Sequence, residues 1–356
     1  MNKLSTKHFM FFIFCTMVVS IRIYSSVFIS EGQRNTWIIS LFSGILVILC
    51  YLYILDISSK TNTLSISSVY NKSYPKLLSK LLLFTFILGL FVTSVESISS
   101  YASSTHTNLF METPIWFCIL FMLIPSCYIL TRKFNSILII VLIIGIIAII
   151  GDIIYLALIV KYLDFTKLLP IAYNIFNKNS LKCFFLILGS MSSVMITLPI
   201  LNYLSDTKHL IKHSFISTLL CIILIDISLI TLITFFGPQR SANIFYPEYL
   251  QSQQIQIVNF IEFGQIFYIF RSVCMLFAKY LLSSFGILTI LKDKIKNKTL
   301  FICLYNIIIF CISIYLTRDQ YMFFNDLYFI QYILIGTFLI VPLITYSIFY
   351  IKNKEL

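Results

Sequence analysis

Leu188-Gly189-Ser190-Met191-Ser192-Ser193-Val194 interrupts an apolar segment, residues 181–204, that is long enough to cross a bilayer. Apolar residues precede it (Phe184, Phe185, Leu186), and Met195-Ile196-Thr197-Leu198-Pro199 follows. Glycine weakens a helix, and small hydroxyl side chains compete for its backbone. An unpaired peptide group in hydrocarbon costs several kcal/mol, so irregular backbone persists only where protein or a wet cavity surrounds it. The run therefore reads in two ways. It is either a break in a spanning helix or a serine-rich patch where two helices pack closely.

The composition sets the class. Of 356 residues, 59% are hydrophobic and only 11% charged, with mean hydropathy +0.94. Soluble domains are nearer 25% charged. This is an all-α polytopic membrane protein, one integral domain over 1–356. The net charge of +12 does not imply nucleic acid, because the lysines fall in short loops between apolar runs. All nine cysteines lie within apolar runs with no CxxC, which reads as packing rather than a metal site. Lys3 and Lys7 before Phe9–Phe28 resemble a signal peptide, but the apolar part is too long and lacks a small-residue cleavage site.

Taking about 20 apolar residues per crossing, ten spans are predicted: 8–29, 36–55, 77–103, 114–131, 136–160, 181–204, 213–236, 262–291, 299–316 and 327–351. Loop charge orients them. One set of flanks holds 16 lysines and arginines and the other 7, with Arg22, Arg271 and Lys279 inside spans. The bias puts both termini in the cytoplasm, which requires an even number of spans. Ten divide as five plus five, giving repeats over 8–160 and 181–351. Span six then matches span one, whose own polar interruption is Ser20-Ile21-Arg22-Ile23-Tyr24-Ser25-Ser26. Interrupted spans at matching places in two halves point to an inverted-repeat solute site.

Six ionisable residues fall inside spans: Arg22, Glu96, Asp152, Asp226, Arg271 and Lys279. Each costs about 2.5–3.5 kcal/mol at mid-bilayer on insertion scales. At ~1.5 Å per residue, Glu96 and Arg271 lie about 28 and 30 Å from the cytoplasmic side, which favours their pairing. Asp226 with Lys279, and Arg22 with Asp152, are the next matches in depth. One reading makes all of these register-fixing pairs. The other has Arg22 meet a ligand carboxylate, Glu96 hold an amine or a proton, and Lys279, Asp226 and Asp152 serve as ion- or proton-coupling groups. His209 and His213 are spaced for zinc but sit without an HExxH, at the solvated start of a helix. No nucleophile–base pair, P-loop, GxGxxG or GxSxG is present, so neither an enzyme nor a cofactor is expected.

The chain resembles the B subunits of spore-germination nutrient receptors, within the amino acid-polyamine-organocation superfamily. The stretch Phe235-Phe236-Gly237-Pro238 through Tyr246-Pro247 carries most of the resemblance, with Trp37, Leu169-Pro170 and Glu262. The resemblance implies a LeuT-like ten-helix fold with spans one and six broken and a pocket lined by spans one, three, six and eight. Carried over by position, that pocket is Ser20, Ile21, Arg22, Glu96, Gly189, Ser190, Ser193 and Arg271. It further implies a small nutrient ligand such as an amino acid, the spore inner membrane, an A subunit and a lipoprotein C subunit. Two departures stand out: Ser20-Ile21-Arg22 where a glycine or proline is expected at the break, and Phe260 where an arginine is expected before Glu262. A proton-coupled amino acid permease and a scaffold with a vestigial pocket are the competing readings.

Overall fold

A computed structural model describes residues 4–257, 261–262 and 264–354. Phe260 and the Glu262 side chain lie outside the described residues. The predicted spans appear in order, with ends shifted by a few residues. Span one is three pieces, Thr6–Met17, Val19–Ile23 and Ser25–Gly32. Spans two to five are Thr36–Lys60, Lys76–Asn108, Ile115–Thr131 and Phe134–Ile159. Span six is Lys178–Met191 followed by Ser192–Tyr203, and span seven is Leu210–Phe236. Span eight runs Gly264–Ile290, span nine Lys298–Leu316 and span ten Gln320–Lys354; eight and ten each contain a π-helical turn, Ile269–Val273 and Ile335–Ile340. Among the described residues, nine helical stretches are long and apolar enough to cross a membrane, and Ile115–Thr131 is a shorter apolar helix.

Local chemistry sets the ends. Asn177, Asn297 and Asp319 each accept a backbone N–H of the first turn of spans six, nine and ten. Span seven stops at Gly237, whose φ of 82° suits glycine. Two short helices begin on proline beyond it, Pro238–Asn243 and Pro247–Gln253. Between spans two and three lies the helix Ile66–Ser73, and Lys352 Nζ donates to its Ser73 carbonyl at 2.9 Å.

The two interruptions differ in kind. Tyr24 leaves the helical region, with φ −117° and ψ 47°, and separates the last two pieces of span one. Span six does not unwind. At Ser192 it tightens from α to a 3-10 helix that runs for 12 residues through Pro199. Such helices rarely exceed three or four residues. Side chains sustain this one: Ser192, Ser193 and Thr197 each donate to the carbonyl three residues back, at 2.6, 2.6 and 2.7 Å. These back-bonds draw carbonyls away from the α ladder.

The halves are tied level by level. At the terminus-bearing end, Leu4 lies parallel to Leu204, with Leu4 N donating to Tyr203 O and Ser205 N to Leu4 O. Ser193 Oγ donates to Thr16 O at 2.7 Å. At the other end, Cys183 Sγ faces Phe28 O at 3.4 Å.

Span ten closes on the interruption in span six. A Cβ at Gly189 would stand 2.2 Å from the Gln331 carbonyl oxygen, whereas one at Gly336 would meet no atom within 4 Å. Gly189→Ala should therefore cost about 1–3 kcal/mol through overpacking, while Gly336→Ala should be neutral or stabilising by up to ~1 kcal/mol. Unfolding midpoints of the detergent-purified variants test this; equal midpoints would mean the approach is not tight.

Candidate functional site

The interruption in span one faces spans three and eight. Ser20 Oγ donates to Glu96 Oε1 at 2.7 Å, and Tyr24 OH donates to the same oxygen at 2.6 Å. Lys279 Nζ donates to Glu96 Oε2 at 2.7 Å and to Ser20 Oγ at 2.5 Å. Both charged side chains are fully buried. Gln331 of span ten donates to Tyr24 OH at 3.2 Å and, through its backbone, abuts Gly189. One carboxylate and one ammonium are thus held at the junction of spans one, three, eight and ten, beside the close packing at span six. Ser25 Oγ, Ser190 Oγ and Gln331 Oε1 are buried here without a hydrogen-bond partner.

A second cluster lies nearby. Arg22 grips Asp152 with both terminal nitrogens, 3.0 Å from Nη1 to Oδ1 and 3.0 Å from Nη2 to Oδ2. Arg271 Nε donates to Asp152 Oδ1 at 2.5 Å, and its Nη1 lies 3.2 Å from Glu248 Oε1. Ser272 Oγ donates to Glu248 Oε2 at 2.5 Å, and the Arg271 guanidinium lies over the Tyr155 ring at 3.8 Å. Two arginines and two carboxylates alternate through spans one, five and eight and the helix Pro247–Gln253. A planar fork suits such bidentate, stacked contacts.

Two of the pairings favoured by depth are corrected. Glu96 meets Lys279 instead of Arg271, and Lys279 therefore does not meet Asp226. Arg22 with Asp152 is found as the depth count places it. The count took helices as upright, but span three is 33 residues long. A helix longer than the bilayer tilts, so residues counted along it overstate depth. Arg271 is also satisfied by Glu248, which sits in a loop helix that no hydropathy window includes. Glu248, Tyr24, Tyr155 and Gln331 are the residues that sequence reasoning missed. The signal for Glu248 was its place as the only acid in the Phe235–Gln254 stretch.

The structure thus brings Ser20, Glu96 and Lys279 together, with Gly189 and Ser190 at their margin. It places Arg22 and Arg271 in the second cluster. Ile21 is buried within the short piece Val19–Ile23, and Ser193 bonds backbone. Asp226 contacts neither cluster. His213 Nδ1 pairs with Thr6 Oγ1 at 2.8 Å, and among the described residues no group of three metal-ligating side chains occurs. Cavities open elsewhere. One of about 560 Å³ lies among the adjoining ends of spans three, four, nine and ten, lined by Ser103, His106 and Arg318. Another of about 920 Å³ lies between spans two and six under Ile175 and Phe176.

The family model described as spore germination protein matches residues 3–321. No curated protein matches the chain. Solved structures share its fold. A Na⁺-coupled sialic acid symporter in a substrate-bound outward-open state is 14% identical, with 95% of this chain and 80% of that one covered at a TM-score of 0.64. MhsT in complex with L-phenylalanine is 15% identical, with 98% and 89% covered at 0.63. A manganese transporter of Eremococcus coleocola is 14% identical, with 95% and 78% covered at 0.66. The neighbours are LeuT-fold transporters, so the ten-helix arrangement with spans one and six interrupted is that fold.

Removing one partner of a buried ion pair leaves an uncompensated charge and costs about 3–5 kcal/mol. Lys279→Met should lose about that much stability, and the double variant Glu96→Gln/Lys279→Met should regain most of it. Chemical or thermal unfolding in detergent measures the cycle. A double variant no better than the single one would show that Glu96 does not depend on Lys279.

Proposed function

The chain belongs to the spore germination protein family, and on that premise we propose that it is the B-type subunit of a nutrient receptor in the spore inner membrane. It binds an amino acid between Glu96 and Lys279 and signals by the rearrangement this forces, with no chemistry of its own. The observation that carries this reading is the buried Glu96–Lys279 pair, braced by Ser20 and Tyr24 at the interruption of span one. An α-amino acid carries the complement of each member. Its ammonium replaces Lys279 on Glu96, and its carboxylate takes the freed Lys279 Nζ. One ion pair becomes two, and the net charge inside the membrane stays the same. A solute with a single charge strands either Glu96 or Lys279, at the cost of an unpaired buried ion. The unpartnered Ser25, Ser190 and Gln331 atoms supply further polar contacts. Arg22, paired with Asp152, is left out of the carboxylate contact.

Its proposed partners are an A subunit and a lipoprotein C subunit, a reading the family membership supports. Cytoplasmic termini follow from the 16-to-7 loop charge bias. A proton-coupled permease is the second reading, favoured by the transporter fold, since one scaffold hosts both activities.

Binding to the purified, reconstituted protein tests the site. A panel of amino acids, followed by calorimetry, should give one or more ligands whose affinity drops at least about tenfold in Glu96→Gln, roughly 1.4 kcal/mol. Decarboxylated and N-acetylated forms of that ligand should bind at least as poorly. Unchanged affinity in Glu96→Gln would overturn the assignment. Accumulation of labelled amino acid in the same vesicles under a pH gradient would replace the receptor by the permease.

A further inference from the structure

The buried carboxylates and bases among the described residues do not balance. Arg22, Arg271 and Lys279 face four acids, Glu96, Asp152, Glu248 and Asp226. The first three acids are bonded to the three bases. Asp226 is left over. It is 6% exposed, near the middle of span seven, and neither of its oxygens has a hydrogen-bond partner. Ser40 of span two lies beside it, its hydroxyl the polar group that faces the carboxyl. One turn away Ile222 fills the space over Gly44 of the same span, so Asp226 is packed into the contact of spans two and seven.

Among the described residues, no cation reaches it from a neighbouring element. From span one, Arg22 approaches span seven near Cys221, roughly 140° round the helix, and is held by Asp152. Cys15 of span one also faces Cys221. Span two offers only serine hydroxyls there. At the far end of span seven, Lys167 Nζ donates to the Phe235 carbonyl and lies 4.0 Å from Asp164 Oδ2, and Arg240 lies over Phe236. Glu248 is held by Arg271. An isolated carboxylate in such surroundings is neutralised.

We propose that Asp226 is a proton-binding site: it holds a proton as a neutral carboxylic acid against span two, and gives it up only when spans two and seven part. The contact is joined to both interrupted spans. Tyr51 of span two bonds Thr197, in the 3-10 half of span six, at 2.7 Å. The loop after span seven is fastened to that span by Gln251 Nε2 on Thr231 O and Ser241 Oγ on Leu232 O. The same loop receives Ser26 Oγ of span one on Phe245 O at 3.0 Å. Proton release at Asp226 would therefore be felt at both interruptions without any contact to Glu96 or Lys279. The inference stands whether the protein signals or transports.

Infrared spectra of the full chain in lipid vesicles read the carboxyl directly. The expected result is a protonated-carboxyl C=O band at neutral pH that shifts in D₂O and disappears in Asp226→Asn. Asp226→Asn mimics the neutral acid and should leave the unfolding midpoint within a few degrees of wild type. A spectrum lacking that band, or one in which the band survives Asp226→Asn, would overturn the proposal. Should the variant fail to fold, mapping a membrane-soluble carbodiimide on the wild-type chain decides. Labelling at Asp226 that falls as pH rises supports the site; labelling at Glu96, Asp152 or Glu248 with Asp226 spared refutes it.

Discussion

A buried charge in this bundle is stable only opposite another, and that constraint positions the elements around the interruptions. Desolvating two ions is repaid only by close geometry and full hydrogen bonding. The Glu96–Lys279 pair meets this with Ser20 and Tyr24 completing the carboxylate, which fixes spans three and eight against the irregular middle of span one. The alternating Arg22–Asp152–Arg271–Glu248 set ties spans one, five and eight to the helix Pro247–Gln253 through ion pairs, without completing every hydrogen bond. Non-helical backbone at this depth is sustained because these pairs hold protein around it.

Much of the fold was legible because each span is an apolar run of the length a bilayer demands, closed by short charged loops. The interruption in span six was legible in Gly189 and the serines after it. That these hydroxyls would convert the rest of the span to a 3-10 helix was not, since the back-bonds are known only once the backbone is placed. Partners were least legible. Depth along an upright helix matched Arg22 with Asp152 but misassigned Glu96: the length of span three marks a tilt, but packing against its neighbours sets the angle, which no single segment carries. The balance of three bases against three acids inside the spans looked complete, and it hid Glu248, an acid supplied from a loop.

The fold shared with solute carriers and the membership of a germination family are compatible on physical grounds. A receptor and a carrier both need a site whose occupied form differs in energy between two arrangements. In the function proposed above, exchange of the internal salt bridge for a zwitterion would supply such a difference, since the empty and filled sites satisfy the same charges with different partners.

The level-by-level ties between spans one and six carry a mechanical implication. The lower halves are laced together through Leu4, Thr16 and Ser193, and the upper halves through Phe28 and Cys183. Two composite levers result, joined at Tyr24 and at Ser192. Each is seated by its own cross-ties, so the bonds that seal one face are separate from those that seal its opposite.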